Sequence, residues 1–286
     1  MGAGGSDPDS KSATLRQYHK VLWRRFLPNG EYFNLKDGRS KYYLKYNNIY
    51  LSSDSILASF RYWDNKDFIM KVAAEVDDFH SLMEDFINRS YTIGGMMLLP
   101  SFRWCLNQAR GCHKRIRDRW DLTMECIRRY YMGEDSPLSK PLEKSKDFFD
   151  LFVDFKGFVD FFFLQDCVTE DYTKVILWHE TSFFESNPMP KTVEDYLAFL
   201  QKELDFVEKR NARIAEYVLS RSIEMCEEWT VDEETELRHK TINIWANPSI
   251  DWNSKREDIE EIAQIYRLTY DQVMKYRAYW MQYIKK

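Results

Sequence analysis

Apolar residues recur every three or four positions over 14–26, at Leu15, Tyr18, Leu22 and Phe26, and this spacing predicts a first helix. Ser12 or Thr14 supplies its N-cap, and Pro28-Asn29-Gly30 ends it as a turn. Residues 31–35 and 41–51 are rich in Tyr, Phe and Ile and are separated by Asp37-Gly38, which predicts a pair of strands. Ser52-Ser53-Asp54-Ser55 then predicts a helix start, because short side-chain oxygens satisfy the free amides of a first turn. Phe68, Val72, Val76, Phe79, Leu82 and Phe86 place one amphipathic helix over 66–88. Residues 91–99 predict a buried strand ended by Pro100, in which Gly94-Gly95 marks a bulge or a close approach to the backbone.

A helix is expected over 114–132, then a loop over 133–142 carrying Pro137 and Pro141, then helical and strand-like aromatic segments over 147–177. Val193, Tyr196, Phe199, Leu200, Leu204, Val207, Ile214 and Val218 predict a long helix over 192–221. An acidic, Trp-containing stretch over 224–251 lacks a clear period, and 254–283 has the cadence of two packed helices. These elements predict an α+β protein, with a central, mostly antiparallel sheet flanked by helices and a helical C-terminal extension. The expected divisions are a flexible N-terminus over 1–12, a main domain over 13–222, and an acidic connector with helical extension over 223–286.

Composition narrows the class. The 286 residues are 44% hydrophobic, with ten Gly and eight Pro against 19 Phe, 18 Tyr and 9 Trp, which favours an aromatic core over long linkers. A formal net charge of −5 gives no overall pull toward nucleic acid or anionic membrane. The most apolar run, 148–164, is interrupted by Asp150, Asp154, Lys156 and Asp160, so a membrane span is not expected. No hydrophobic stretch follows the first residues, and no secretory signal is expected. Five cysteines without a Cys-x-x-Cys pair fit reduced thiols in a cytoplasm better than a disulfide frame or a zinc site.

Candidate chemistry concentrates over 89–129, where a Gly-punctuated apolar run leads into a dense set of Arg and Lys. Arg forks bind phosphate bidentately, which singles out Arg103, Asn107, Arg110 and Arg119 as ligand contacts. Asp118, Asp121 and Glu125 either hold those forks or form a solvated helix face stitched by ion pairs. Serines delivered by the strand ending at Leu51 either cap a helix or bind phosphate or ribose. Asp166 and Glu170 are candidate acids. His19 reads as packed or solvent-facing.

The blocks DPDSKSATLRQYHKVLW, LSSDSI, YTIGGMMLLP, NQARG, IRDRWDLTMECIRRYY, FKGFVDFFFLQDCVTED and FVEKRNARI resemble, over 7–215, an uncharacterised family of bacterial proteins with no established activity. Within it, NNIYLSSDSILASFRYW, over 48–63, resembles the strand and helix that line the NAD pocket of ADP-ribosyltransferases. That second resemblance implies Arg16 or His19 in the early position, Tyr50 with Ser52 in the middle one, and Glu170 as the catalytic acid. The expectation is therefore a cytoplasmic bacterial enzyme using NAD or a nucleotide, an ADP-ribosyltransferase-like effector of the toxin or phage-defence type. Glu170, Tyr50 and His19 would form its catalytic set, and Arg16, Ser52, Arg103, Asn107, Arg110 and Arg119 would hold NAD. The alternative is a non-catalytic module that docks a protein or nucleic-acid partner through its Arg-rich face. An antitoxin or other protein partner is expected on the C-terminal helices.

Overall fold

Ser12 accepts the amide of Leu15 at 3.1 Å and starts helix α1, Ala13–Leu22, in the computed structural model, which describes residues 12–38, 43–56, 66–110, 115–179 and 190–228. Of the expected flexible N-terminus over 1–12, residues 1–11 lie outside those described, as does the helical pair expected over 254–283. Strands β1 (Lys36–Asp37), β2 (Leu44–Tyr46), β3 (Ile49–Ser55) and β4 (Met96–Pro100) form one antiparallel sheet in chain order. Asn47, at φ 50°, takes the left-handed turn between β2 and β3, a conformation asparagine tolerates better than most residues. Residues 31–35, expected as a strand, make only an isolated bridge from Tyr32 to Phe26.

The expected helix start at Ser52 is instead the middle of β3. Ser52 pairs with Leu99 and Ser53 with Leu98, while Leu51 pairs with both Leu44 and Pro100. Ladder bonds on two sides satisfy the amides that caps would have served, and the polar side chains are used sideways, Ser53 toward His19 and Asp54 toward Arg110. The expected strand over 91–99 begins as a 3-10 turn, Ile93–Gly95, and Pro100 lies within the ladder rather than ending it.

The single helix expected over 66–88 is two, α2 (Lys66–Glu75) and α3 (Phe79–Ser90). Asp78 breaks it by taking φ 51° and accepting the amide of Ser81 at 3.3 Å, which caps α3. Beyond β4 come short helices: α4 (Leu106–Arg110), α5 (Trp120–Tyr131), α6 (Ser139–Glu143), α7 (Lys146–Phe149) and α8 (Phe155–Phe161). Helix α6 occupies what reads as loop, and the aromatic run is helical where strand-like segments were also expected. Helix α9, Val193–Glu228, is the long helix expected over 192–221, extended at its C-terminal end.

Phe148, Phe149, Phe152, Phe158 and Phe162 are fully buried and stack edge-on or tilted, with centroids from 5.1 to 6.2 Å apart. Trp23 of α1 joins them through Phe162 at 5.0 Å. Helix α9 closes over β4 at a glycine: a Cβ on Gly94 would lie 2.5 Å from the Val207 carbonyl, and the Gly94 amide donates to Asn211 Oδ1 at 2.7 Å. The chain divides into two compact units between Tyr217 and Val218; of the second, only the α9 residues to Glu228 are described. No helix among the described residues is long and apolar enough to cross a membrane.

Candidate functional site

Helix α5 begins at Trp120, not at 114, and residues 115–119 run outside any helix. Their course is set by the Arg115 amide, which donates to the Ala109 carbonyl at 2.8 Å, and by two acidic anchors. Arg110, only 1% exposed, donates from Nη1 to Asp54 Oδ2 of β3 at 2.8 Å, and its Nη2 lies 2.9 Å from Asp118 Oδ1. Arg119 is fully buried and forms a bidentate pair with Asp121, whose Oδ1 also accepts the Leu122 amide and whose Oδ2 accepts the Trp178 amide at 2.8 Å. Arg119 also donates to the His179 carbonyl at 3.2 Å.

The expectation that Arg110 and Arg119 face a ligand is therefore corrected. Both forks are committed to carboxylates, Arg119 to the fully buried Asp121 and Arg110 to the partly exposed Asp54 and Asp118, so removing an acidic partner leaves a buried guanidinium short of counter-charge. Asp121, expected on the solvated face of its helix, is fully buried. Its amphipathic sector is displaced because a buried Arg neutralises it. The expected ion pairing along the helix does form at Glu125, which takes Arg128 at 2.8 Å and Arg129 at 2.9 Å, but its side chain is only 13% exposed and the face is not a solvated one.

What this frame leaves open is a cavity of about 260 Å3 lined by Trp104, Ala109, Arg115, Lys140, Pro141 and Lys144. Ala109 and Pro141 are buried, whereas Trp104, Arg115, Lys140 and Lys144 are exposed. Lys140 and Lys144 stand four residues apart on α6 and its C-cap, so they share a face, where like charges repel. Arg115, Lys140 and Lys144 make no ion pair or side-chain hydrogen bond among the described residues. Trp104 is 46% exposed at φ 68°, a left-handed conformation that costs a bulky residue about 1–3 kcal/mol. Its amide donates to Gln108 Oε1 at 2.7 Å, and the Arg103 guanidinium lies 5.4 Å from its ring centre.

The remaining expected site residues are spread out. His19 is fully buried; its Nδ1 accepts from Trp23 Nε1 at 2.9 Å, and its Nε2 lies 2.9 Å from Ser53 Oγ. The indole can only donate, so Nδ1 holds a lone pair and the neutral ring carries its proton on Nε2. Burial, with the positive field of Arg210 added, pushes its pKa down to about 3. Side chains alternate along a strand, so Tyr50, Ser52 and Asp54 leave the face of β3 opposite to Ser53 and His19. Arg16 reaches back to the Ser12 carbonyl at 3.4 Å. The Asn107 Oδ1 is buried and has no hydrogen-bond partner among the described residues. Asp166 is paired with Arg213 at 2.6 Å, and Glu170 is exposed on the turn closed by the Tyr172 amide and the Thr169 carbonyl. The structure thus brings Asp54 to Arg110, and Arg103 to the rim tryptophan, but does not bring His19 to Tyr50.

Of the pocket residues, Trp104, Ala109 and Arg115 fall inside the 89–129 segment read from the sequence, and none of them is among the ligand contacts singled out there. Trp104, Lys140 and Lys144 were missed. The Lys-Pro-Leu-Glu-Lys spacing was the available signal for a shared face, but it counts only on a helix, and that stretch reads as loop.

No curated protein and no solved structure matches the chain. A family model does: the one described as a family of unknown function, DUF6994, matches residues 2–214. That is most of the chain and contains every residue of the pocket, and the protein belongs to this family.

Proposed function

We propose that the protein binds a nucleotide or a related phosphate-bearing ligand in the Trp104 pocket and uses it as substrate or cofactor. The observation that carries this reading is the set of three cations without counter-charges among the described residues, Arg115, Lys140 and Lys144, gathered around an exposed tryptophan held in a left-handed conformation. Unpaired cations repel one another until an anion arrives, so ligand charge stabilises the site. The indole offers a flat face on which a base stacks. The test is thermal unfolding with millimolar ATP and, separately, NAD. A native-state ligand at a hundredfold excess over its Kd adds about 2.7 kcal/mol of stability. That gain should vanish in an Arg115→Ala, Lys144→Ala double variant whose unliganded melting temperature is unchanged. No shift with either ligand contradicts the proposal.

ADP-ribosyl transfer, in an effector of the toxin or phage-defence type, is the narrower form of the same proposal. What supports it is the accessibility of Glu170, whose carboxylate is free to meet a ribose cation. His19 contributes nothing to it, because both ring nitrogens are engaged in the core. Glu170→Gln keeps size and fold while removing the charge. If Glu170 stabilises the transition state, NAD cleavage or transfer falls about a hundredfold or more. Equal rates in the two proteins remove Glu170, and no turnover by the wild type leaves the pocket as a binding site.

A further inference from the structure

Resting on the nucleotide-binding reading, and in place of its narrower ADP-ribosyl-transfer form, we infer that the ligand of the Trp104 pocket is a mononucleotide carrying a di- or triphosphate chain, and not NAD. Charge is the first ground. Among the described residues the lining holds three cations, Arg115, Lys140 and Lys144, and no carboxylate. NAD brings about one net negative charge, because its nicotinamide cation offsets one of its two phosphates. A nucleoside diphosphate brings about three, with two of them on the terminal phosphate. Three unpaired cations match the second ligand and leave two charges unanswered with the first.

Placement is the second. Trp104 and Arg115 reach the cavity from the α4 side, while Lys140 and Lys144 project from one face of α6. A base laid on the indole can therefore extend its phosphates between Arg115 and the two lysines. Lys and Arg divide the work as their chemistry allows: Arg115 offers a planar fork, and the lysines offer mobile point charges that follow a flexible polyphosphate.

The test is calorimetric titration of the full chain with ADP, ATP, AMP, NAD and inorganic tripolyphosphate. ADP and ATP should bind at least tenfold more tightly than NAD and AMP, and tripolyphosphate more weakly than ATP. Lys140→Ala and Lys144→Ala, both at exposed positions, should weaken ATP while leaving AMP nearly unchanged. Trp104→Ala should weaken ATP roughly ten- to a hundredfold and bring it to the level of tripolyphosphate. If Trp104→Ala fails to fold, Trp104→Leu serves in its place, and the two lysine variants carry the charge argument independently. NAD binding as tight as ATP overturns this inference while upholding the nucleotide-binding proposal. Tripolyphosphate binding as tight as ATP, whatever stands at 104, overturns the stacked base. No binding by any of the five overturns the proposal beneath both.

Discussion

His19 and Arg110 show how differently two polar residues read once their partners are known. Helical position alone leaves His19 as either packed or solvent-facing; the partners Trp23 and Ser53 decide it, and neither the indole at i+4 nor the strand hydroxyl marks the choice in the sequence. Its pH behaviour follows. The unfolded ring titrates near 6.5 and the folded one at about 3, so the folded state disfavours the proton. Stability from this group is intact above pH 6.5 and is lost as pH falls toward 3, by about 2 kcal/mol between pH 7 and pH 5. Urea unfolding at those two pH values, in wild type and His19→Gln, checks this: the variant should be less stable at pH 7 but lose less on acidification. Arg110 is legible as a functional candidate because guanidinium density marks it, but density does not say whether the fork faces ligand or carboxylate. Arg110→Ala should cost about 1–3 kcal/mol in urea unfolding, moderated by the partial exposure of Asp54 and Asp118. An unchanged unfolding midpoint would mean that the fork does not hold the 115–119 segment to the sheet.

Among the elements, α1 is legible because a cap and an apolar stripe coincide and α9 because its apolar stripe is sustained over many turns, whereas β3 is not, because Ser-Ser-Asp-Ser serves a cap and a strand equally well. Only the ladder to β4 separates those readings, and β4 lies more than forty residues downstream. The Gly94-Gly95 pair is half legible. Close approach is readable from two adjacent glycines, yet the approaching element, Val207 and Asn211 of α9, is more than a hundred residues away. Gly94→Ala drives a methyl against the Val207 carbonyl, which a helix backbone cannot yield cheaply, and should cost about 1–3 kcal/mol. Arg210, one turn further along α9, donates to the Gly94 and Met96 carbonyls at 2.8 Å each and to the Phe162 carbonyl at 2.9 Å. Arg210→Lys keeps the charge but not the fork, and leaves buried carbonyls unmet at about 1–3 kcal/mol apiece. Wild-type stability in either variant would show that α9 does not seal β4 in this way.

At the scale of the molecule, the α+β architecture with its antiparallel sheet is readable from alternation of period, and the aromatic core from composition. The pocket is not, because it exists only where the α4 end, the 115–119 segment and α6 meet, held in place by Arg110 reaching both Asp54 and Asp118. Ion pairs take up the buried arginines that are most conspicuous in the sequence, and on the proposed reading the binding work falls to less conspicuous cations outside them. A crystal structure of the full chain grown with ADP tests that account most directly. The expected result is a base against Trp104, with phosphate oxygens within hydrogen-bond distance of Arg115, Lys140 and Lys144 and the Arg110 pairs unbroken. ADP bound elsewhere, or Arg110 turned away from Asp54 to meet the phosphates, would contradict it.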